Sequence, residues 1–174
     1  MNYFEFYDLP ESFALDAALI KKKFYELSKR YHPDFYANED DAKQQEILEL
    51  STLNNKVYQV LTDPGKRMEY ILKQHGLLTD GEKYELAPEF LMDMMDINEA
   101  LMEVDDAAAL NTIKAQISDT EERLNNQLTT HITNYQAEDE VAKQLELKAI
   151  KDIYFKQKYL LRIKDTLDTF AARL

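Results

Sequence analysis

Cysteine is absent. No disulfide framework is possible, and no thiolate is available to ligate zinc or an iron–sulfur cluster. Glycine occurs three times and proline four times. The last of these residues is Pro88, so the chain beyond it lacks the two strongest local breakers and is free to form long helices. No apolar run approaches the ~20 residues that a membrane-spanning helix needs, and no membrane association is expected. Positive charge is in deficit, with a formal net of -12. A polyanion would meet a repulsive average field, which argues against nucleic acid as a partner. The Met1–Glu5 stretch has neither a basic segment nor a long apolar one. No signal peptide is therefore expected, and a cytoplasmic location is.

Hydrophobic residues make up 45% and charged residues 31% of the 174-residue chain, enough apolar material for packed cores. Charge is unevenly spread. Residues 1–75 hold 10 basic and 13 acidic side chains, and residues 76–174 hold 11 and 20. The two parts are expected to meet different partners. Little alternates with period two, so the fold class is all-α. A first helix is predicted from Asp16, a good N-cap, to Tyr31, with Ile20, Phe24, Leu27 and Tyr31 inward and Lys22, Tyr25, Glu26 and Lys29 outward. A polar loop then leads to a helix over residues 42–62, with Leu50, Leu53, Asn54, Val57 and Leu61 on or near its inner face. Asp63-Pro64 reads as an N-cap followed by proline at the first helical position. The short helix that follows stops at Gly76. Residues 76–87, with two glycines and mixed polarity, are expected to form a linker. Three amphipathic helices follow, over 88–104, 106–134 and 138–172, the last with Leu145, Ala149, Ile153, Leu160, Ile163 and Leu167 inward. Short connections between them predict an antiparallel three-helix bundle.

His32-Pro33-Asp34 ends the first helix, because proline disfavours an α conformation in the residue before it. Both polar side chains are thereby expected outside helical structure, within reach of another molecule. Lys22 and Lys29 lie two turns apart on the outward face. A positive strip beside an exposed carboxylate suits docking to an acidic surface of a partner. A His-Pro-Asp tripeptide alone is an ordinary loop. Its surroundings are not: Phe24-Tyr25-Glu26-Leu27-Ser28-Lys29-Arg30-Tyr31 precedes it, and Leu53-Asn54-Asn55-Lys56-Val57-Tyr58-Gln59-Val60-Leu61-Thr62-Asp63-Pro64-Gly65-Lys66-Arg67 follows.

Together these segments resemble the J-domain over about residues 1–75, an antiparallel helical hairpin with short flanking helices. The resemblance implies that His32, Pro33 and Asp34 trigger ATP hydrolysis in a DnaK-class chaperone, with Lys22 and Lys29 as docking contacts. Phe35-Tyr36 stands where many J-domains carry a basic residue.

The helix opened by Pro88 has two apolar stripes. Phe90, Met94, Ile97 and Leu101 form the natural core face. Leu91, Met92, Met95 and Met102 form another, flanked by Asp96, Glu99 and Glu103. No Lys or Arg occurs in residues 84–113. Uncompensated carboxylates around unbranched, adaptable methionines suit a rim meeting a basic partner. Burial on two sides, within the bundle or against the first domain, is the competing explanation. In the third helix of the bundle Phe155 lies off the inward stripe and can join the patch. Phe90-Leu91-Met92 near the start of a short helix, followed by a long helical hairpin, resembles the C-terminal domain of the HscB family. That resemblance implies that Leu91, Met92, Met95, Asp96, Glu99, Glu103 and Phe155 bind an IscU-like iron–sulfur scaffold protein, and that the chaperone is HscA-like. Met95 stands where leucine is common and Asp96 where glutamate is.

No enzyme is expected. His32, His75 and His131 show no metal-ligand spacing, and neither a P-loop nor a nucleophile elbow is present. No cofactor or metal is expected. The predicted function is a co-chaperone of iron–sulfur cluster assembly with a J-domain (1–75), a linker (76–87) and a scaffold-binding bundle (88–174). A J-domain protein with a different client is the alternative.

Overall fold

The computed structural model describes residues 1–136 and 139–173. Among these residues the secondary structure is helical without strands, and the chain forms two compact units, Met1–His75 and Gly76–Leu174.

The first unit is built on a hairpin of α2 (Ala17–Arg30) and α3 (Asp41–Thr62), flanked by α1 (Tyr3–Phe6) and α4 (Pro64–Gln74). The caps are those the sequence offers. Asp16, Asp40 and Asp63 each accept a backbone N–H in the first turn of the helix that follows. Asn2 and Glu5 close a reciprocal capping box around α1, which is only one turn long and has no periodicity to betray it. Ile20 of α2 packs inward with Ile47, Val57 and Leu61 of α3, all nearly inaccessible. Phe24 and Tyr58 stack across the hairpin at 4.2 Å.

Two polar side chains tie the hairpin to its flanks. Buried Asn54 donates through Nδ2 to Phe24 O at 3.2 Å and to Ser28 Oγ at 3.0 Å. Its Oδ1 accepts from the Tyr7 hydroxyl at 2.9 Å. Burial, followed by the neighbouring Tyr58, pushes the Tyr7 phenol well above its ordinary range, so it stays a donor. Arg67 is likewise buried and donates through Nε to Phe13 O at 2.9 Å and through Nη1 to Leu61 O at 2.5 Å. Burial lowers its pKa, and Asp63 opposes that shift. Each guanidinium hydrogen bond here serves a buried carbonyl.

The second unit contains α5 (Pro88–Met102), α6 (Ala107–Asn134) and α7 (Glu140–Ala171). Pro88 opens α5 where no side chain caps it, and its missing N–H removes one orphan donor. Met94, Ile97 and Leu101 of α5 meet Leu110, Ile113, Ile117 and Leu124 of α6 and Leu160, Ile163 and Leu167 of α7 in one cluster. Complete burial of such side chains contributes roughly 1.5–3 kcal/mol each. Glu121 with Lys164, Asn125 with Gln157, and His131 with Glu146 link α6 to α7 in reverse order, which fixes them as antiparallel.

Several expectations need correcting. Leu145 is 62% exposed, whereas Leu147 and Ile150 are completely buried in the same part of α7. Helix α5 ends at Met102, two residues before the expected Val104. The start proposed for the last helix, Glu138, lies outside the described residues. Asp139 caps that helix by accepting from Val141 and Ala142. Residues 82–84 are not free of the bundle. Lys151 Nζ approaches Glu82 Oε2 at 2.9 Å, an ion pair without hydrogen-bond alignment. The Tyr84 hydroxyl donates to Asp152 Oδ1 at 2.9 Å.

Candidate functional site

His32, Pro33 and Asp34 sit between the two hairpin helices. Contrary to the expectation that both polar residues lie outside helical structure, Asp34 falls within a single 3₁₀ turn over Pro33–Tyr36, and His32 is its N-cap. The reason is local. Proline at the first position has the φ of a helical turn, and aspartate in that turn favours its N-terminus. His32 Nδ1 accepts the Asp34 amide at 3.3 Å, and Phe35 N–H donates to His32 O at 3.1 Å. With Nδ1 an acceptor, the neutral ring carries its proton on Nε2. The Tyr36 hydroxyl donates to Arg30 O at 2.9 Å and so covers the end of α2. Gln44 Nε2 donates to Glu39 O at 2.8 Å and anchors the following loop to α3. The turn is thus held from both sides, while the Asp34 side chain is 87% exposed and 3.7 Å from His32 Nδ1. Its carboxylate remains available to a partner. Lys22 and Lys29 are exposed on α2. Lys22 makes only a loose contact of 4.0 Å with Glu26, which lies between the two lysines on the helix. Phe35 is also exposed and leans on the His32 ring at 5.7 Å.

In the second unit the two stripes of α5 separate. Met94, Ile97 and Leu101 are buried, whereas Met92, Met95 and Met102 are 65%, 56% and 77% exposed. Asp96, Glu99 and Glu103 are exposed alongside them. The methionine stripe is therefore not buried a second time within this unit. Leu91 is half-buried at the edge of a groove of about 880 Å³ that Phe155 also lines. The structure brings Leu91 and Phe155 together, and places Met92, Met95, Asp96, Glu99 and Glu103 on the adjoining outer face of α5.

Sequence reasoning missed Tyr84, Asp152 and Leu161. Tyr84 stacks on Phe155 at 4.5 Å with planes 7° apart. Asp152 is shared by the Tyr84 hydroxyl and by Lys156 Nζ at 2.8 Å. The Tyr84 phenol is pushed up to about 12, first by burial, then by its bond to Asp152 and the charges of Asp152 and Glu82. A lone aromatic in a glycine-bearing stretch gives no periodic signal. Among the described residues no group of three or more His, Asp or Glu side chains is arranged to hold a metal ion. Among the described residues no helix is long and apolar enough to cross a membrane.

A helical hairpin with a proline-opened His-Pro-Asp turn between its helices, joined in one chain to a separate helical bundle, defines a J-domain co-chaperone. The DnaJ domain model matches residues 2–70, and the model for the HSCB C-terminal oligomerisation domain matches residues 86–168. The chain is 31% identical over 175 residues to the co-chaperone protein HscB homolog of Vibrio parahaemolyticus, covering 100% of this chain and 99% of that one. It is 38% identical over 123 residues to the homolog of Vibrio vulnificus, covering 68% and 72%. Among solved structures, HscB from Vibrio cholerae superimposes with a TM-score of 0.72 at 29% identity, covering 100% of this chain and 99% of that one. Human HscB gives 0.78 at 26%, covering 100% and 84%. The chain belongs to the HscB co-chaperone family.

Proposed function

We propose that this protein carries an IscU-like iron–sulfur scaffold protein on its C-terminal unit and presents it to an HscA-like, DnaK-class chaperone, whose ATPase it stimulates. One observation supports this reading above the others. The same chain exposes a His-Pro-Asp turn beside Lys22 and Lys29 in one unit and an acid-flanked methionine face in the other. His32, Pro33 and Asp34 are the trigger. Asp34 offers a carboxylate to a cationic group of the chaperone, and Lys22 and Lys29 steer the approach to an acidic surface. Leu91, Met92, Met95 and Phe155 supply the apolar contact to the scaffold. Asp96, Glu99 and Glu103 select a partner with a basic rim.

Burying four large apolar side chains contributes roughly 6–12 kcal/mol gross. Association costs about 4–15 kcal/mol. The difference describes a reversible complex, as delivery requires. The protein itself makes and breaks no covalent bond. It biases the conformation of the chaperone toward hydrolysis. The cytoplasm is the proposed compartment.

The test is chaperone ATPase with scaffold present, comparing wild type with His32→Gln. The substitution is expected to abolish stimulation and to leave scaffold affinity unchanged by calorimetry. Stimulation that survives it would remove the trigger from this reading.

A further inference from the structure

We propose that the scaffold footprint crosses the groove to a second wall on α7, formed by Lys158, Leu161 and Arg162, and that the scaffold segment seated there carries an apolar side chain next to a carboxylate. This rests on the scaffold reading of α5 and Phe155 and extends it.

The wall is built by helix geometry. Lys158, Leu161, Arg162 and Asp165 follow one another at intervals of three, one and three residues, so they share one outward face of α7. All four line the groove together with Leu91 and Phe155. The inward stripe of the same segment is Leu160, Ile163 and Leu167, all buried in the core cluster. Leu161 takes no part in that cluster and is 58% exposed. It stands between two cations in the groove that Leu91 of α5 and Phe155, earlier on α7, also line.

Charge gives the occupant its direction. Lys151, Lys156 and Lys164 of α7 are each held by a carboxylate at 2.8–2.9 Å. Among the described residues, Lys158 and Arg162 have no such partner and lie instead over the Tyr154 and Tyr159 rings, at 5.7 and 5.2 Å. Stacking pre-orders the guanidinium while its donors stay available, which suits two-point recognition of a carboxylate. One of the acids lining the groove, Glu82, is already committed to Lys151. The opposite rim, on α5, is purely acidic. The α7 wall thus carries two cations, Lys158 and Arg162, against one acid, Asp165, while α5 carries acids alone, so the surface is negative on α5, apolar in the middle and net positive on α7. A scaffold surface fits it in one orientation only, with its basic side over Asp96, Glu99 and Glu103 and its acidic side over Lys158 and Arg162.

The test is calorimetry of the full-length protein with a cluster-free IscU-like scaffold, using Leu161→Ser, Arg162→Gln and Arg162→Glu. Leu91→Ala combined with Phe155→Ala serves as the reference. All three α7 side-chain changes are at exposed positions, so far-UV helicity and the thermal midpoint should not move. Arg162→Glu is expected to weaken binding about tenfold or more, Leu161→Ser and Arg162→Gln less, and Arg162→Gln to flatten the salt dependence of the affinity. Wild-type affinity in the α7 variants, with binding lost in the reference variant, would overturn the second wall and leave the scaffold site on α5 standing. Undiminished binding in the reference variant would overturn both. Sedimentation of the free protein covers the remaining occupant, a second copy of this chain. A dimer broken by Arg162→Glu, with scaffold affinity intact, would assign the wall to self-association and overturn the proposal.

Discussion

Tyr84 lies flat on Phe155, with ring centroids 4.5 Å apart, and its hydroxyl is bonded at 2.9 Å to Asp152, less than one turn before Phe155 on α7. The segment leading into α5 thus grips α7 beside the side chain proposed for scaffold contact. One face of the Phe155 ring is occupied by Tyr84, and Tyr154 meets the ring in a T-shaped contact at 5.1 Å, so only the remainder of the ring faces the groove.

Tyr84 is therefore a positioning residue for Phe155. Tyr84→Ala is expected to weaken scaffold binding two- to tenfold, the range of about 0.5–1.5 kcal/mol that an aromatic pair contributes. Tyr84→Phe keeps the stack and should lose much less. A merely structural role would make the effect of Tyr84→Ala independent of Phe155. A double-mutant cycle with Phe155→Ala, read by calorimetry, is expected to be strongly non-additive. Additive losses would remove Tyr84 from the site.

The same contact has an alkaline signature. An unfolded tyrosine ionises near pH 10, and the folded Tyr84 phenol is pushed up to about 12. A raised pKa in the folded state means that the neutral form is the one folding favours. The stabilisation is fully present below about pH 10 and is lost as pH rises through about 12. Tyrosinate absorbance of wild type minus Tyr84→Phe should isolate one of the 11 tyrosines. A difference titrating near pH 10 would show that the bond to Asp152 does not hold in solution.

Asn54 is the corresponding structural test in the first unit. Asn54→Leu fits the space but takes the Nδ2 donor from part-buried Phe24 O and Ser28 Oγ, and leaves the Tyr7 hydroxyl only its longer 3.3 Å bond to the Asn54 backbone O. Each stranded group costs about 1–3 kcal/mol where water cannot reach it. Amide hydrogen exchange of α2 and α3 in the full-length protein should accelerate by about tenfold or more, since 1.4 kcal/mol corresponds to about a factor of ten. Unchanged protection would mean that water satisfies these groups.

Much of this architecture was legible beforehand, because its signals are local. Asp16, Asp63-Pro64 and Pro88 mark helix starts by capping chemistry alone, and the structure begins those helices within a residue of the expectation. The exposed methionine stripe was visible as a second apolar face on a helix whose first face already sufficed for the core. Residues 82–84 were not legible, since their hold on α7 comes from one stack, one hydrogen bond and one ion pair at long sequence separation. Asp34 was misread because proline was taken only as a stop signal, although it also starts a tight turn.

Leu145 exposes the limit of helical periodicity. A stripe fitted to Leu160, Ile163 and Leu167 extends back through Ile153 and Ala149 to Leu145 by wheel geometry. That fit assumes neighbours on the same side along the whole helix. The near half of α7 is used on more than one side. Glu146 pairs with His131 of α6, and Lys151, Asp152 and Phe155 meet the segment carrying Glu82 and Tyr84. The buried side there passes through Leu147 and Ile150 instead. Leu145→Lys is accordingly expected to change stability by no more than about 0.5 kcal/mol. Leu147→Ala, two residues on, should cost about 2–5 kcal/mol, because a fully buried leucine leaves both lost transfer energy and a cavity. Urea unfolding of the two full-length variants, followed by far-UV circular dichroism, separates these outcomes. A large loss at Leu145 with little at Leu147 would return the inward face to the one predicted from the wheel.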